Sequence, residues 1–199
     1  MKILAALFAG LIMLSFQFVS SPEKMAYAET LDHVNIYKAN KDESLLKIGV
    51  KYGVSEIELK NINHLTSNEI DAGEKLIIPS SITTEEKDLL ARLVHAEAKG
   101  EPYNGKVAVA LVVLNRVKDK RFPETIKEVI YEKKQFQPVD NGSINKPADE
   151  QAKMAVMEAL ALQGQDNQSI YFFNPDKTGD TWLRTKKVTT VIGNHRFAK

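Results

Sequence analysis

The 199-residue chain reads as an α+β protein in two parts: a small strand–helix–helix–strand (βααβ) unit, then a mainly helical domain with a small β-sheet. Three observations predict this. Residues 34–79 hold two strand-like runs around two short helical stripes. Positions 83–163 carry apolar residues at helical spacing, punctuated by Gly and Pro. Beyond residue 164 the pattern changes to β-rich runs at Ile170–Phe173 and Val188–Ile192.

Ahead of these parts, Lys2 precedes the apolar run Ile3 to Val19, and Ala26-Tyr27-Ala28 offers a small-x-small cleavage site. Residues 1–28 are expected to be a signal peptide cleaved after Ala28. The alternative is an uncleaved segment that anchors the chain to a membrane. Val34, Ile36 and the residues around Tyr37 then form a short strand. From Glu43 to Tyr52 the apolar positions Leu45, Ile48 and Tyr52 fall at helical spacing until Gly53 stops them. Ser55 caps a second helix with Ile57, Leu59 and Ile62, and Lys75 to Ile78 closes the unit as a strand ended by Pro79. A unit this small, with no nucleophile or histidine–carboxylate arrangement, suggests a binding module. Ser80 to Thr84 is a short polar link, so the two parts are expected to stay close together.

Thr83 followed by Glu86 is a capping-box signature that opens a helix near Thr84. Leu90, Leu93 and Val94 mark its inner stripe, and the next member of that stripe is Glu97. Gly100 and Glu101-Pro102 end the helix one turn later, because the residue before a proline avoids the α region. Asn104-Gly105 start a second helix whose residues from Val107 to Val117 leave hardly any polar face, which places it at the centre of the domain. Asn115 and Arg116 then need partners; for Arg116 these are a carboxylate near a site or an ion pair at the helix end. Phe122-Pro123 is expected to begin a third helix with proline at its first position. Lys133 to Gly142 reads as a loop, and Pro147 to Gln163 as an alanine-rich helix that packs closely on the central one. Two strands and the loop bearing Trp182 follow, and Gly193 to Phe197 ends the chain.

Lys and Arg number 27 against 26 Asp and Glu, which gives no bulk charge for nucleic-acid binding. The absence of cysteine excludes a disulfide scaffold, a thiolate nucleophile and Cys-based metal sites. The helical part has only His95 and His195, which argues against a dedicated zinc site, and no metal or cofactor is expected.

Glu97 is the candidate catalytic residue. A carboxyl held against apolar neighbours has a raised pKa, because burial disfavours its charged form. A general acid in glycoside chemistry needs that property to protonate a leaving oxygen near neutral pH. The competing explanation is a Glu paired with Arg, or one capping backbone in the core. Glu101 lies past the helix break, as a solvated carboxylate or a partner of the site. Asp140 is the other candidate second carboxylate, although Asp140-Asn141-Gly142 is also ordinary turn chemistry. Gln135 and Phe136 combine an amide with an aromatic, a mixture that suits sugars; Phe136 could equally plug the core. Trp182 is a sugar platform or a hydrophobic lid, Asn174 joins the candidate substrate contacts, and His195 reads as a structural histidine.

Residues 34–79 resemble the LysM domain, a βααβ module that binds N-acetylglucosamine-containing glycans such as peptidoglycan. Ser44-Leu45, Lys47-Ile48, Tyr52-Gly53-Val54, Asn61, Asn63, Leu65, Ile70, Gly73 and Leu76-Ile77-Ile78-Pro79 carry the resemblance. It implies a glycan-binding set of Asp42, Glu43, Ser44, Leu45, Asn68 and Ile70. Where that family shows Gly-Asp, this chain has Asp42-Glu43.

Residues 85–199 carry a second resemblance, which implies a domain over residues 84–199. Its motifs are His95-Ala96-Glu97-Ala98-Lys99-Gly100-Glu101-Pro102-Tyr103, Gly105 to Ala110, Val113 to Val117, Phe122-Pro123, Thr125-Ile126, Val129-Ile130-Tyr131, Gln135-Phe136, Val139-Asp140 and Gly142. Tyr171 to Pro175, Trp182 and Ile192 to Phe197 complete them. The domain is similar to the cell wall hydrolase family that includes the spore cortex-lytic enzymes (SleB/CwlJ type) of spore-forming Gram-positive bacteria. The resemblance implies a domain related in shape to lysozyme and the lytic transglycosylases, cleavage of peptidoglycan glycan strands, and a catalytic glutamate at Glu97. Founder members carry a different wall-binding domain, which leaves spore cortex and vegetative wall both open as substrates. A secreted, wall- or cortex-associated monomer follows, with peptidoglycan as its partner. One carboxyl suffices for a lytic transglycosylase, whereas a hydrolysing muramidase normally uses two. An amidase that cuts the peptide stem, and a wall-binding adaptor with an inert second domain, stand as rival functions.

Overall fold

The structure, a computed structural model, describes residues 35–80 and 82–199. The expected signal segment over residues 1–28 and the expected strand residue Val34 lie outside the described residues. In the N-terminal part, β1 (Asn35–Lys38) pairs antiparallel with β2 (Lys75–Ile78), Asn35 opposite Ile78. Between them lie α1 (Leu45–Tyr52) and α2 (Glu56–Ile62). Helix α1 starts at Leu45 rather than Glu43 because Ser44 takes the cap, its hydroxyl accepting from the Lys47 N–H at 3.2 Å. Leu45, Ile48, Val54, Leu59, Leu76 and Ile78 fill a small core between the helices and the sheet.

The C-terminal part begins with α3 (Thr84–Glu97), opened by the expected capping box between Thr83 and Glu86. It continues through α4 (Tyr103–Lys118), α5 (Ile126–Tyr131), the single turn α6 (Gln137–Asp140) and α7 (Glu150–Leu162). Helix α4 is the buried centre, as its apolar run predicts, and α7 lies along it. Ala152, Ala155 and Ala159 are fully buried on α7, and their small side chains permit that close approach. Two expected helix starts move downstream. Proline at 123 does not open α5; Thr125 does, its hydroxyl accepting from the Glu128 N–H at 3.2 Å. Asp149, not Pro147, caps α7 by accepting from the Ala152 N–H at 2.7 Å. In both cases a side chain that satisfies an orphan helix donor outweighs proline's preset φ.

The closing sheet has three strands. β3 (Tyr171–Phe173) and β4 (Val188–Ile192) flank β5 (His195–Ala198), which pairs antiparallel with both. The central strand is the run expected only to end the chain. It is held by a tight turn in which Gly193 has φ +56, and it buries Phe197 against the helices.

The two parts are docked through α1 and α7. A Cβ on Gly49 would stand 3.1 Å from that of Ala161, so the helices meet where neither has a large side chain. Polar bonds stitch the rim: Ser55 Oγ donates to the Gln163 carbonyl at 3.1 Å, Gln165 Nε2 to Glu56 Oε2 at 2.7 Å, and Lys87 Nζ to the Tyr52 carbonyl at 3.2 Å. Ser55 sits at the expected cap position of α2, but its hydroxyl makes this cross-contact and not a cap bond. The short link thus joins closely packed parts, as its length and composition predict.

Candidate functional site

Glu97 is the last residue of α3, half-buried and followed by the break at Gly100. Among the described residues no hydrogen bond or ion pair reaches its carboxyl. Neither oxygen is sealed from solvent. Burial pushes the carboxyl up to about 7, with the positive field of Arg116 acting in the opposite direction. The group is therefore desolvated enough to hold a proton near neutrality and open enough to deliver it.

Arg116, on α4, is only 5 % exposed. Among the described residues it pairs with neither of the kinds of carboxylate considered from the sequence. Its Nε donates to the Ile170 carbonyl at 2.7 Å and its Nη1 to Gln135 Oε1 at 3.1 Å. The rings of Phe122, Phe136 and Tyr171 stand 4.9, 5.3 and 5.9 Å from the guanidinium carbon. Desolvation lowers its pKa, while Glu132, Tyr171 and Glu97 act to raise it. Asn115 is also satisfied, donating to Asp166 Oδ2 and to the Ser169 carbonyl.

The other candidates scatter. Glu101 is turned away from proton transfer: its two oxygens accept from the Asn194 backbone N–H at 2.9 Å and side-chain amide at 3.0 Å. Burial works against its charge, yet those bonds, with His195 and Lys177 nearby, hold it below the usual carboxylate range. A side chain at Gly193 would collide with that carboxylate, so glycine there serves the latch as well as the turn. Asp140 ends α6 exposed to solvent, in keeping with ordinary turn chemistry. Phe136 is 2 % exposed and belongs to the core, so it offers no open face to a sugar. Gln135 is exposed and bonded to Arg116, and Asn174 caps its own turn by accepting from the Asp176 N–H at 2.9 Å. Trp182 is 51 % exposed, edge-on to Tyr171 at 5.3 Å, with Lys186 Nζ 3.6 Å from its ring centroid. Arg116, Gln135, Tyr171 and Trp182 thus form one linked series, and the charge of Arg116 is felt at Glu97. His195 is buried, its ring 5.2 Å from that of Phe172.

Three neighbours of these residues are not singled out as site candidates by the sequence. Tyr171 enters only as a strand residue of the resemblance, and Lys186 as one of several lysines. Glu132 sits in the charged run Glu132-Lys133-Lys134, and its Oε2 is buried without a hydrogen-bond partner among the described residues. Among the described residues no cluster of three His, Cys, Asp or Glu side chains could hold a metal ion. A cavity of about 740 Å³ lies at the junction of the two parts, lined by Ile57, Asn61, Ile82, Val117 and Thr125, away from Glu97.

In the N-terminal part the expected glycan-binding residues are largely occupied by other groups of the protein. Asp42 has φ +64, a backbone state that suits the glycine found there in the resembled family. Glu43 accepts from the Asn40 backbone N–H at 2.8 Å and from the Tyr37 hydroxyl. Asn68 donates to Glu56 and accepts from Lys60, Ser44 caps α1, Leu45 is wholly buried, and Ile70 packs on the core. Any sugar contact there falls to backbone and to the exposed edges of these loops.

Comparison with known proteins agrees with this architecture. The LysM domain model matches residues 37–79, and the Cell Wall Hydrolase model matches residues 100–198. The spore cortex-lytic enzyme of Bacillus cereus is 38% identical over 122 residues, covering 61% of this chain and 47% of that protein. Its counterpart in Oceanobacillus iheyensis is 37% identical over 122 residues, covering 44% of that protein. The chain therefore spans about half the length of the curated relatives it matches. A solved structure, the catalytic domain of the germination-specific lytic transglycosylase SleB from Bacillus anthracis, is 38% identical with a TM-score of 0.58; the match covers 61% of this chain and 100% of that one. With its helical domain matched over the whole of a solved catalytic domain, and a βααβ unit ahead of it, this chain belongs to the cell wall hydrolase family and carries an N-terminal LysM domain.

Proposed function

We propose that the protein cleaves the glycan strands of peptidoglycan between N-acetylmuramic acid and N-acetylglucosamine, as a lytic transglycosylase with Glu97 as acid and then base. Residues 84–199 are the catalytic domain and residues 34–79 hold the enzyme on its polymer. Residues 1–28 direct export, and the enzyme works as a monomer on cell wall or spore cortex. The observation that carries this reading is the Glu97 carboxyl: half-buried, without a hydrogen bond among the described residues, and pushed up to about 7. The relatives' activity supports it, although the matched family region begins at residue 100, beyond Glu97.

In the first step Glu97 gives its proton to the glycosidic oxygen as the bond from that oxygen to muramic C1 breaks, leaving electron deficiency at C1. The 6-hydroxyl oxygen of the same muramic residue then bonds to C1, and its proton passes to the Glu97 carboxylate. The product is a 1,6-anhydro ring, no water is consumed, and the carboxyl returns to its starting state. Glu101, latched on Asn194, and Asp140, out in solvent, are poorly suited to the second role that a hydrolysing muramidase requires. Trp182, Gln135 and Asn174 contact the sugars.

Digestion of purified peptidoglycan, with mass spectrometry of the released fragments, tests the reading. Anhydro-ended glycans are expected from the wild type, and Glu97→Gln should lose at least a thousandfold in rate. Reducing ends would replace the transglycosylase by a muramidase, and free stem peptides by an amidase. Binding without release by both proteins would leave a wall-binding adaptor.

A further inference from the structure

Lys106 occupies a place on α4 that its own helix makes unfavourable. It is 5 % exposed, and an ammonium taken out of water is costly unless partners replace the solvent. It also stands in the first turn of α4, where the partial positive charge of the N-terminus repels a cation and no acidic residue offsets it. What it gains lies across the helix break: its Nζ donates to the Ala98 carbonyl at 3.2 Å, in a buried bond. Ala98 caps α3, follows Glu97 directly and is wholly buried. Both of its peptide groups are bonded. Its N–H donates to the Val94 carbonyl at 2.9 Å, and its carbonyl accepts from the Glu101 N–H at 3.1 Å as well as from Lys106. The carbonyls of a last helical turn are short of donors and carry partial negative charge, so a buried ammonium suits them. On the other side of Glu97, His95 Nδ1 stands 3.2 Å from Asp149 Oδ2 at the cap of α7.

We propose that Lys106 is a positioning residue for the reaction: its bond to the Ala98 carbonyl fixes the end of α3 from which the Glu97 carboxyl projects. This inference rests on the reading of Glu97 as the proton donor. Among the described residues no donor orients that carboxyl, so its place against a sugar is set by the backbone that carries it. That backbone lies beside a break where Gly100 has φ +83, and helix ends fray. The Lys106 bond and the Glu101–Asn194 latch hold opposite ends of residues 98–101. An ammonium makes a stronger bond to the carbonyl than a neutral donor would, because it also faces the negative end of the helix. Lys106 itself moves no proton; its Nζ is committed to the backbone. The benefit is geometric, since an error of about 1 Å in the place of an acid costs on the order of a hundredfold in rate.

The test compares the full chain with Lys106→Met, Lys106→Arg and Lys87→Met, measuring melting temperature, and kcat and KM on soluble glycan fragments of peptidoglycan below the lowest melting point. Lys106→Met keeps most of the stem and removes the ammonium; it should lower kcat by roughly a hundredfold with KM little changed. Lys106→Arg still donates and should recover most of that loss. Lys87 makes the same kind of bond, Nζ to a backbone carbonyl at 3.2 Å, but at the junction of the two parts. Lys87→Met should therefore lower the melting temperature and leave kcat where it is. Carbon-13 NMR of the Ala98 carbonyl reads the clamp directly, and its signal should move upfield in Lys106→Met as the bond is lost. A Lys106→Met enzyme with a lowered melting temperature and full kcat overturns the proposal. So does a raised KM at unchanged kcat, an unmoved Ala98 signal, or a loss as large in Lys106→Arg as in Lys106→Met. Should Lys106→Met fail to fold, Lys106→Gln, whose shorter polar chain falls short of the carbonyl, carries the same comparison against Lys106→Arg. An active Glu97→Gln enzyme would instead overturn the underlying assignment of the acid, whatever the Ala98 signal does.

Discussion

Glu97 and Glu101 stand on either side of one helix break, and their environments send them in opposite directions. Both are partly desolvated, so burial alone predicts a raised pKa for each. Glu101 escapes because the β4–β5 turn offers it two donors from Asn194, with His195 and Lys177 adding positive charge. Among the described residues Glu97 is offered no donor, and the field of Arg116 moderates it. Depth and hydrogen bonding together set the two carboxyls apart: Glu97 is the more deeply desolvated, and Glu101 the one held by donors.

The largest test of this contrast is the pH dependence of lysis. Glu97 must begin protonated, so kcat/KM should hold level below pH 7 and fall about tenfold per unit above it, reaching roughly a hundredfold loss by pH 9. Glu101→Gln should leave that limb where it is. A bell-shaped profile, or a limb that moves with Glu101, would place the second carboxylate back in the reaction.

Next comes stability. A carboxyl whose folded pKa is raised costs nothing below its unfolded pKa, and its penalty grows as pH rises towards the folded value of about 7. Glu97→Gln should therefore be more stable than wild type by about 2 kcal/mol at pH 8 and equal to it near pH 4 in urea unfolding. A variant equally stabilised at both pH values would point to packing, not ionisation.

The smallest effect belongs to the latch. Glu101→Gln should cost about 1 kcal/mol at pH 7, with solvent screening limiting the loss. Here the sign reverses: a lowered pKa gives stability that is present above the ordinary carboxylate range and disappears as pH falls through the folded value. The deficit should fade on acidification, and one that persists would mean the amide fits the turn badly for other reasons.

How much of the fold and site is legible in the sequence depends on how local the cause is. The capping box at Thr83 and Glu86, the break at Gly100 and the stripe leading to Glu97 are written within a few turns of chain, and they put Glu97 where it stands, at the end of α3. The alanine face of α7 likewise announces its close packing on α4. The starts of α5 and α7 differ from expectation because two signals compete within three residues, and the side-chain cap at Thr125 or Asp149 outranks the nearby proline. Strand β5 is hidden by its shortness and its polar opening, since only pairing with β3 and β4 makes His195–Ala198 extended. The partners of Glu101 and Arg116 lie 93 residues away at Asn194 and 54 away at Ile170, and no local pattern encodes contacts that distant. Phe136 shows the same limit: an aromatic beside an amide suits either a sugar or a core, and the fold alone decides.

The meeting of Gly49 with Ala161, bordered by Met157 and Leu160, has a consequence for how such proteins diversify. The LysM module is not a bead on a string that can be exchanged at its linker. A truncation that starts at Thr83 would strip the cover from one side of α7 and leave a greasy strip in water, so a replacement anchor succeeds only if that helix is rewritten along with it.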